Sequence, residues 1–578
     1  MCGIFGFTGS QKHNSNLVFN GLKSLEYRGY DSWGIAVDTP KGLIDEKHLG
    51  KITNRPKNIP DSSISIGHTR WATHGGISLS NCHPHFSSDR QVALVHNGIV
   101  ENYQQLKSEL KKQGHKFTTQ TDSEVIAHLI EQYYKKNNFQ EAVRLAFLDL
   151  KGLNAIAVIK HLDNQLIVAK KGSPLVIGFD NRQNFIASDI NALAGLTNDF
   201  VFLEDNQMAV LSPQSVNLFD IENNRPIKYK VRTISSDQSG TGLDGYPDYL
   251  SKEIHQQLDI IEQIQSQDLN GSVKQIIKMA KKADHVFFAG CGSSYFAAHF
   301  NALLVSQEIG KPVFSFSASE INPYDRFLTK KSLLVVFSQS GETIDVINLV
   351  NSVKSKKVTI ASIINTPYST LHRLADICQL LPCGPEKCVL STKSFTAQIA
   401  LFLKALGQNM SPVVADIKNI FKAAYIQKID NLAKKLSQKE HIFVISRGNF
   451  LPIGHETSLK IKEVSYIHSE SVFAGELKHG PIALIEKQTP CIVIAPNDNH
   501  FDDMISSATE VKARGAWIIG LSPKNDSVFD NHLSVVDAGI STAISSVIVA
   551  QLLAYYLSQH KGLDPDKPRN LAKSVTVK

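Results

Sequence analysis

Charge is in short supply in this chain. Only 20% of its 578 residues are Asp, Glu, Lys or Arg, and the formal net charge is +7. No basic block comparable to a nucleic-acid arm is present, and the lysine pairs are scattered among acids, so no nucleic-acid partner is expected. Cysteine is scarce: the seven sit at 2, 82, 291, 378, 383, 388 and 491, an odd number with no C-x-x-C pair. The run at 378, 383 and 388 has intervals of five, which is not a zinc spacing. Free thiols of a reducing, cytoplasmic compartment are the expectation. The opening MCGIFGFTGSQKHN lacks the charged and long apolar regions of a signal peptide. Long hydrophobic runs are missing too. LLVVF at 333–337 and VIVAQLLAYYL at 547–557 read as too short to span a bilayer, so no membrane partner is expected. No G-x-x-x-x-G-K-[ST] and no H-x-x-x-H helix occur, so neither a nucleotide cofactor nor a metal is expected.

Apolar material is ample. Hydrophobic residues make up 42%, enough for several cores, and ~100–200 residues per domain predicts roughly three to five domains. Up to about residue 230, short strand patterns alternate with helices. GIFGF (3–7), SWGIAV (32–37), ISIGHT (64–69) and QVALVHNG (91–98) read as strands. VFNGLKSLEY (18–27), ENYQQLKSELKKQG (101–114) and DSEVIAHLIEQYYKK (122–136) read as helices, the last with Asp122 or Ser123 as N-cap. Many strands with inserted helices suggest two sheets faced by helices. RTISSDQSGTGLDGYPD (232–248) lacks periodicity and reads as a linker.

The remainder repeats itself. DHVFFAGCGSSYFAA (284–298) resembles EHIFVISRGNFLPIG (440–454), LLVVFSQSGET (333–343) resembles CIVIAPNDNHF (491–501), and VTIASIINTPYSTL (358–371) resembles AWIIGLSPKNDSVF (516–529). Apolar strands that end in polar turns before helices mark a duplicated, doubly wound parallel sheet. Ligands bind beyond the carboxyl ends of such strands, which directs attention to the turns at 290–294, 338–343 and 446–449.

In one of these turns, SQSGET, the hydroxyls of Ser338, Ser340 and Thr343, the Gln339 amide and the free N–H groups of a helix start converge. They form either a phosphate cradle or an ordinary Ser-rich cap. Further hydroxyls in GCGSS (290–294) and STKS (391–394) favour phosphate, and the missing P-loop lysine favours a sugar phosphate over ATP. Glu456, Lys460 and Glu463 share one face of a helix expected over 455–468, either a solvated salt-bridged face or a set aimed into a pocket. His479 lies in the Gly-flanked loop GELKHGP, where an imidazole can act as acid or base. Cys2 would become residue one after Met removal, and its own amine could then serve its thiol as base. HTRWATHG, HPH, HNG and TDSE supply Arg70, the Asn97–Gly98 pair and Asp122, groups suited to a zwitterionic amino acid and an oxyanion.

MCGIFG, LEYRGYDSWG, HTRWATHG, HPH, HNGIVEN and TDSEVIAHL resemble the class II glutamine amidotransferase domain, an N-terminal-nucleophile fold. CGSS, SQSGET, STKSFT, ETSLKIKE, GELKHGP and DKPRNLAKSVTV resemble two sugar isomerase (SIS) domains. Together they resemble the glutamine–fructose-6-phosphate aminotransferase (isomerizing) family, in family order over essentially the whole chain. The resemblance implies an αββα sandwich over 2–231, a linker at 232–250, doubly wound α/β SIS domains at 251–425 and 426–565, and a catalytic tail at 566–578. It implies a cytoplasmic homodimer that converts L-glutamine and fructose 6-phosphate to glucosamine 6-phosphate and glutamate, the step that opens hexosamine biosynthesis, with no metal or nucleotide.

The residue roles it implies are these. Cys2 attacks the glutamine amide with its own α-amine as base, and Asn97 and Gly98 form the oxyanion hole. Arg70 holds the α-carboxylate and Asp122 the α-amine. Trp71, Thr73 and His74 line that pocket, with Trp71 gating an ammonia channel. Ser294, Ser338, Gln339, Ser340 and Thr343 bind phosphate, while Ser293 and Ser391 contact the sugar or its loop. Lys573 forms a Schiff base with C2, His479 opens the ring, and Glu463 moves a proton between C1 and C2, supported by Lys460 and Glu456. Trp33, near the glutamine site, and Leu390, beside the sugar site, depart from the family's usual smaller residues. The alternatives are an aminotransferase for another ketose phosphate and a sugar-phosphate-binding isomerase-like protein without amino transfer.

Overall fold

The computed structural model describes residues 2–13, 16–234, 242–268 and 270–576. It divides into two compact units, Met1–Ser239 with Ser574–Lys578, and Gly240–Lys573.

The first unit contains two antiparallel sheets. One runs in the order Arg232–Thr233, Asp199–Phe202, Val176–Asp180, Gln183–Ala187, Gly3–His13, Ser62–Arg70, Ser32–Thr39 and Gly42–Leu49. The other runs Pro226–Ile227, Ser215–Asp220, Gln207–Ser212, Asp163–Lys171, Asn154–Lys160, Val92–Gly98 and His85–Phe86. Alternation along a strand sorts side chains to opposite faces. In Val92–Gly98, Ala93 and Val95 enter the core between the sheets with Ile4, Ile64 and Ile66, while Val92 and Leu94 join the outer core. Helices Tyr103–Lys112, Glu124–Tyr134 and Phe139–Leu148 cover that outer face, and helix Asn16–Leu25 covers the other sheet through Val18, Phe19 and Leu22. The result is the expected αββα sandwich.

The second unit holds two five-stranded sheets, parallel throughout. Their orders are Val313–Ser317, His285–Gly290, Ser332–Ser338, Thr359–Ile364, Ile377–Leu380 and His468–Phe473, His441–Ser446, Pro490–Ile494, Trp517–Ser522, Asn531–Ser534. The two orders are equivalent, so the internal repeat is a repeat of topology. One continuous core joins the halves, from Val286 and Phe337 to Ile442, Ile492 and Leu553.

Several expectations are corrected. Asp122 does not cap the helix Glu124–Tyr134, and neither does the side chain of Ser123, the residue at the cap position; Asp122 Oδ2 instead accepts the Val100 N–H at 2.7 Å. The helix expected over 455–468 is Leu451–Ser465, because Pro452 fits a first turn and Tyr466 at φ 58° ends it in the left-handed region. Both ends of the expected linker contribute to elements. Arg232–Thr233 pairs with Asp199–Phe202, and Asp248 caps helix Tyr249–His255; residues 235–241 lie outside those described. The run at 547–557 belongs to a stretch, Gly539–His560, long and apolar enough by length and composition to cross a membrane. Its most apolar part is 89% buried inside the unit, as a core helix would be. In the first unit, Trp33 packs its ring into the core, stacked on His48 at 4.3 Å and edge-on to Phe19 at 5.8 Å, on the strand whose Ser32 pairs with Arg70.

Candidate active site

Strand Gly3–His13 starts beside strand Ser62–Arg70, which places Cys2 against the turn that follows Arg70. The Trp71 N–H donates to Cys2 Sγ at 3.3 Å, and the thiol faces the Trp71 carbonyl at 3.6 Å. Burial pushes the Cys2 thiol up, against the Trp71 hydrogen bond and the charges of Arg70 and Arg28. The thiol is therefore protonated at neutral pH and needs a base to become a nucleophile.

Asn97 ends a strand of the second sheet. Its Nδ2 donates to the Cys2 carbonyl at 3.1 Å and to Ser188 Oγ at 2.9 Å, while its Oδ1 faces His68 Nε2 at 3.1 Å. Gly98 has φ 140°, and a Cβ there would lie 2.2 Å from the Leu153 carbonyl. Only glycine fits this corner. His68, Ser188 and Leu153 thus fix the amide pair; His68 opens the HTRWATHG motif, while Ser188 and Leu153 lie outside the motifs.

Arg70 is buried, and its guanidinium holds the carbonyls of His74 (2.6 Å), Gly75 (3.0 Å) and Gly76 (3.2 Å). It makes no ion pair among the described residues. Asp122 is buried as well and, among the described residues, has no cation; it accepts from Val100 N and, at 3.5 Å, from Ser123 Oγ. Buried charges demand counter-charges, and among the described residues Arg70 and Asp122 have none. Trp71 and His74 are half-buried beside them, His74 edge-on to Tyr103, and Thr73 is exposed. Four further imidazoles line the neighbourhood. His68 stacks on His83 at 4.0 Å, and His83 meets His85 at 4.4 Å and His96 at 6.5 Å. Burial lowers all four, His68 to about 3, so they are neutral hydrogen-bonding groups.

In the second unit, helices Ser293–Ile309, Ile344–Lys354 and Leu451–Ser465 start at the carboxyl ends of their strands. Ser338 Oγ bonds Thr343 Oγ1 at 2.9 Å and accepts the Gly341 N–H at 3.0 Å, while Ser340 Oγ accepts the Glu342 N–H at 3.1 Å. Thr343 occupies the cap position without a side-chain cap. Gly341 sits at φ 66°, where a Cβ would fall 2.0 Å from Ser369 Oγ. The Gln339 carbonyl accepts the Asn365 N–H at 3.1 Å. Ser294 Oγ accepts from Gln398 Nε2 at 3.3 Å, and Ser391 is half-buried just ahead of helix Lys393–Ala405.

Ser293 Oγ donates to Glu456 Oε1 at 3.1 Å, so the first half touches the acid–base helix of the second. Lys460 Nζ lies 2.5 Å from Glu463 Oε2 and 3.4 Å from Glu456 Oε1. Glu456 and Lys460 are buried, and Glu463 is 19% exposed. The solvated-face alternative is thereby removed. Burial, augmented by Glu463, lifts Glu456 to about 7 despite Lys460. Burial alone would lower the Lys460 ammonium; Glu456 and Glu463 raise it instead.

Lys573 Nζ donates to Glu386 Oε2 at 2.6 Å and to the Leu390 carbonyl at 2.9 Å. Glu386 also collects the Thr392 and Ser394 N–H groups and Ser394 Oγ. The sequence reading passed over this glutamate. Its only signal is its place at the head of the EKCVLSTK segment that contains Ser391. His479 is exposed on the turn Leu477–His479 and makes no hydrogen bond or ion pair to Glu456, Lys460, Glu463 or Lys573. Hydrogen bonds and ion pairs thus link Ser293, Glu456, Lys460 and Glu463 to one another, and Lys573 to Glu386.

Comparison with known proteins gives the following. A family model described as a glutamine amidotransferase domain matches residues 69–195, and one described as a SIS domain matches 279–406 and 435–561. The glutamine–fructose-6-phosphate aminotransferase (isomerizing) of Pyrococcus horikoshii is 39% identical and that of Fusobacterium nucleatum 36%, each over 100% of both chains. The solved C-terminal domain of glucosamine-fructose-6-phosphate aminotransferase from Francisella tularensis superposes with TM-score 0.51 and 31% identity, covering 56% of this chain and 100% of that one.

Proposed function

The chain belongs to the glutamine–fructose-6-phosphate aminotransferase (isomerizing) family, and we propose that it carries out that reaction, L-glutamine and D-fructose 6-phosphate giving L-glutamate and D-glucosamine 6-phosphate. Cys2, freed of Met1, gives its thiol proton to its own α-amine and attacks the amide carbon. The oxyanion that forms is met by Asn97 Nδ2 and the Gly98 N–H. Ammonia leaves with the returned proton, and water hydrolyses the thioester to glutamate. Arg70 and Asp122 hold the substrate's carboxylate and ammonium, which supply the buried counter-charges those two side chains lack. Trp71, Thr73 and His74 line the same pocket.

In the sugar half, Ser294, Ser338, Gln339, Ser340 and Thr343 with their helix N–H groups hold the phosphate, and Ser293 and Ser391 contact the sugar. His479 assists ring opening. Lys573 condenses with the C2 carbonyl, losing water, and ammonia displaces it to leave an imine at C2. Glu463 then removes a proton from C1 and returns it to C2, while the C1 hydroxyl gives up its proton and the imine nitrogen takes one, converting the C1 alcohol to an aldehyde and the C2 imine to an amine. Lys460 and Glu456 support that carboxylate. The observation that carries this reading is the Ser293–Glu456 hydrogen bond, which sets the hydroxyl-lined loops against the carboxylates.

Lys573→Ala should abolish glucosamine 6-phosphate formation while glutamate release continues. Retained amination would remove Lys573 from its role. Intact mass tests the other half: active chain should lack Met1, and a glutamine-hydrolysing chain that keeps Met1 would overturn the base assignment. A soluble, cytoplasmic homodimer remains the companion expectation, checked by sedimentation.

A further inference from the structure

Outside the residues assigned to either site, the first unit gathers His115, His128 and Glu131 with their ligating atoms all within 4.8 Å of one another. The three closest atoms form a nearly regular triangle. His115 Nδ1 and His128 Nδ1 are 3.3 Å apart, and Glu131 Oε2 is 3.5 Å from each. The point equidistant from three such atoms lies about 2.0 Å from each, the length of zinc–nitrogen and zinc–carboxylate bonds.

The other ring nitrogens settle which way the lone pairs face. His115 Nε2 lies 3.3 Å from Gln132 Oε1, and the same oxygen accepts from Lys135 Nζ at 2.9 Å. An oxygen facing Nε2 assigns the proton there and leaves Nδ1 as the acceptor. His128 Nε2 faces Glu124 Oε1 at 3.7 Å. Its two oxygens take the Thr118 N–H at 2.7 Å and the Thr119 N–H at 2.9 Å, and a carboxylate oxygen facing Nε2 places the His128 proton on that side, leaving Nδ1 as the acceptor. Two imidazole lone pairs and a carboxylate oxygen therefore converge on one point. Both histidines are buried. A cation at that point would be met by all three atoms at once.

We propose that His115 Nδ1, His128 Nδ1 and Glu131 Oε2 bind a zinc ion. Two imidazoles and one carboxylate suit zinc better than magnesium or calcium, which favour all-oxygen shells. Ser88 provides the fourth oxygen, directly or through a water; its Oγ is 3.2 Å from His128 Nδ1, and its N–H donates to Glu131 Oε2 at 2.8 Å. Gln132 and Glu124 are the outer partners that orient the two rings. The ion ties the loop carrying His115 and the turn carrying Ser88 to helix Glu124–Tyr134. The expectation of no metal rested on histidines four apart on one helix. Here the helix supplies His128 and Glu131, three apart, and a loop supplies His115, a pattern that test does not reach.

The experiment uses the untagged full-length chain, reduced, stripped with chelator and dialysed. Zinc titration should show one equivalent bound, and cobalt should replace it with the intense visible bands of a tetrahedral site. X-ray absorption of the zinc-loaded chain should show nitrogen and oxygen neighbours at about 2.0 Å. His115→Gln and Glu131→Gln should each weaken zinc binding by at least ~10-fold, and zinc should raise the unfolding temperature of the parent chain but not of these variants. Absence of stoichiometric binding, or affinity unchanged in both variants, would overturn the proposal in favour of a hydrogen-bonded cluster. A sulfur shell around the zinc would do the same, by placing the metal on the cysteines. The binding and absorption measurements on the parent chain decide the matter even if a variant fails to fold.

Discussion

Lys573 Nζ sits 2.6 Å from Glu386 Oε2, and the two side chains are 2% and 0% exposed. The pair is separated by 187 residues in sequence. Burial would raise the Glu386 carboxyl, but Lys573 and Lys393 hold it below its ordinary value. Its neighbour Glu253 goes the other way, lifted to about 8 by burial and by Glu386 itself. One carboxylate is thus ionised and one protonated, and the ionised one faces the lysine assigned to the sugar's carbonyl. The contact predicts that Glu386 positions Lys573.

Glu386→Gln should therefore destabilise the chain by about 3 kcal/mol, because it strands a buried ammonium. Borohydride reduction with fructose 6-phosphate should trap at least tenfold less adduct on Lys573. The double change Glu386→Gln with Lys573→Met should recover most of the stability, since both charges are then gone. Urea unfolding and peptide mass mapping read the two effects. Full trapping in the single variant would refute the positioning role.

Gly98→Ala tests the oxyanion corner. A methyl 2.2 Å from the Leu153 carbonyl, at φ 140°, forces the backbone N–H away from its present direction. Loss of one such donor costs roughly 10²–10³-fold in turnover. Glutamate release should fall by that order, and the expected signature is a drop in kcat that exceeds any rise in KM for glutamine. An unchanged kcat would show that Gly98 does not serve the developing oxyanion.

Glu456 carries a pH dependence of stability. Its carboxyl is raised from 4.5 to about 7, so the folded chain holds this proton more tightly than the unfolded chain. The associated stability is complete below pH 4.5 and is lost as pH rises through 7. At ~1.4 kcal/mol per pH unit the loss is about 3 kcal/mol. Glu456→Gln cannot lose that proton, so its stability relative to the parent should rise across this window. Parallel curves from urea unfolding between pH 4.5 and 7.5 would contradict the assignment.

The strands and the internal repeat were legible because apolar runs with period two, or buried on both faces, are local signals. The same holds for the hydroxyl-rich turns and for Glu456, Lys460 and Glu463, whose spacing is helical. What escaped depends on distant partners. Asp122 reads as a helix cap until Val100 claims its carboxylate, and the packing of the Trp33 ring on His48 and Phe19 depends on partners distant in sequence. Glu386 lies in a loop with no periodicity, so only the folded chain shows that it meets Lys573. His479 is legible through its glycine-flanked motif, yet its motif does not say what the exposed ring faces.

The most direct test of the account is a single reaction of purified chain with glutamine and fructose 6-phosphate, in which glutamate and hexosamine phosphate are followed together by mass spectrometry. The account predicts that both accumulate in equal amounts and that the hexosamine is glucosamine 6-phosphate. Glutamate without hexosamine phosphate, or no glutamate at all, would contradict it.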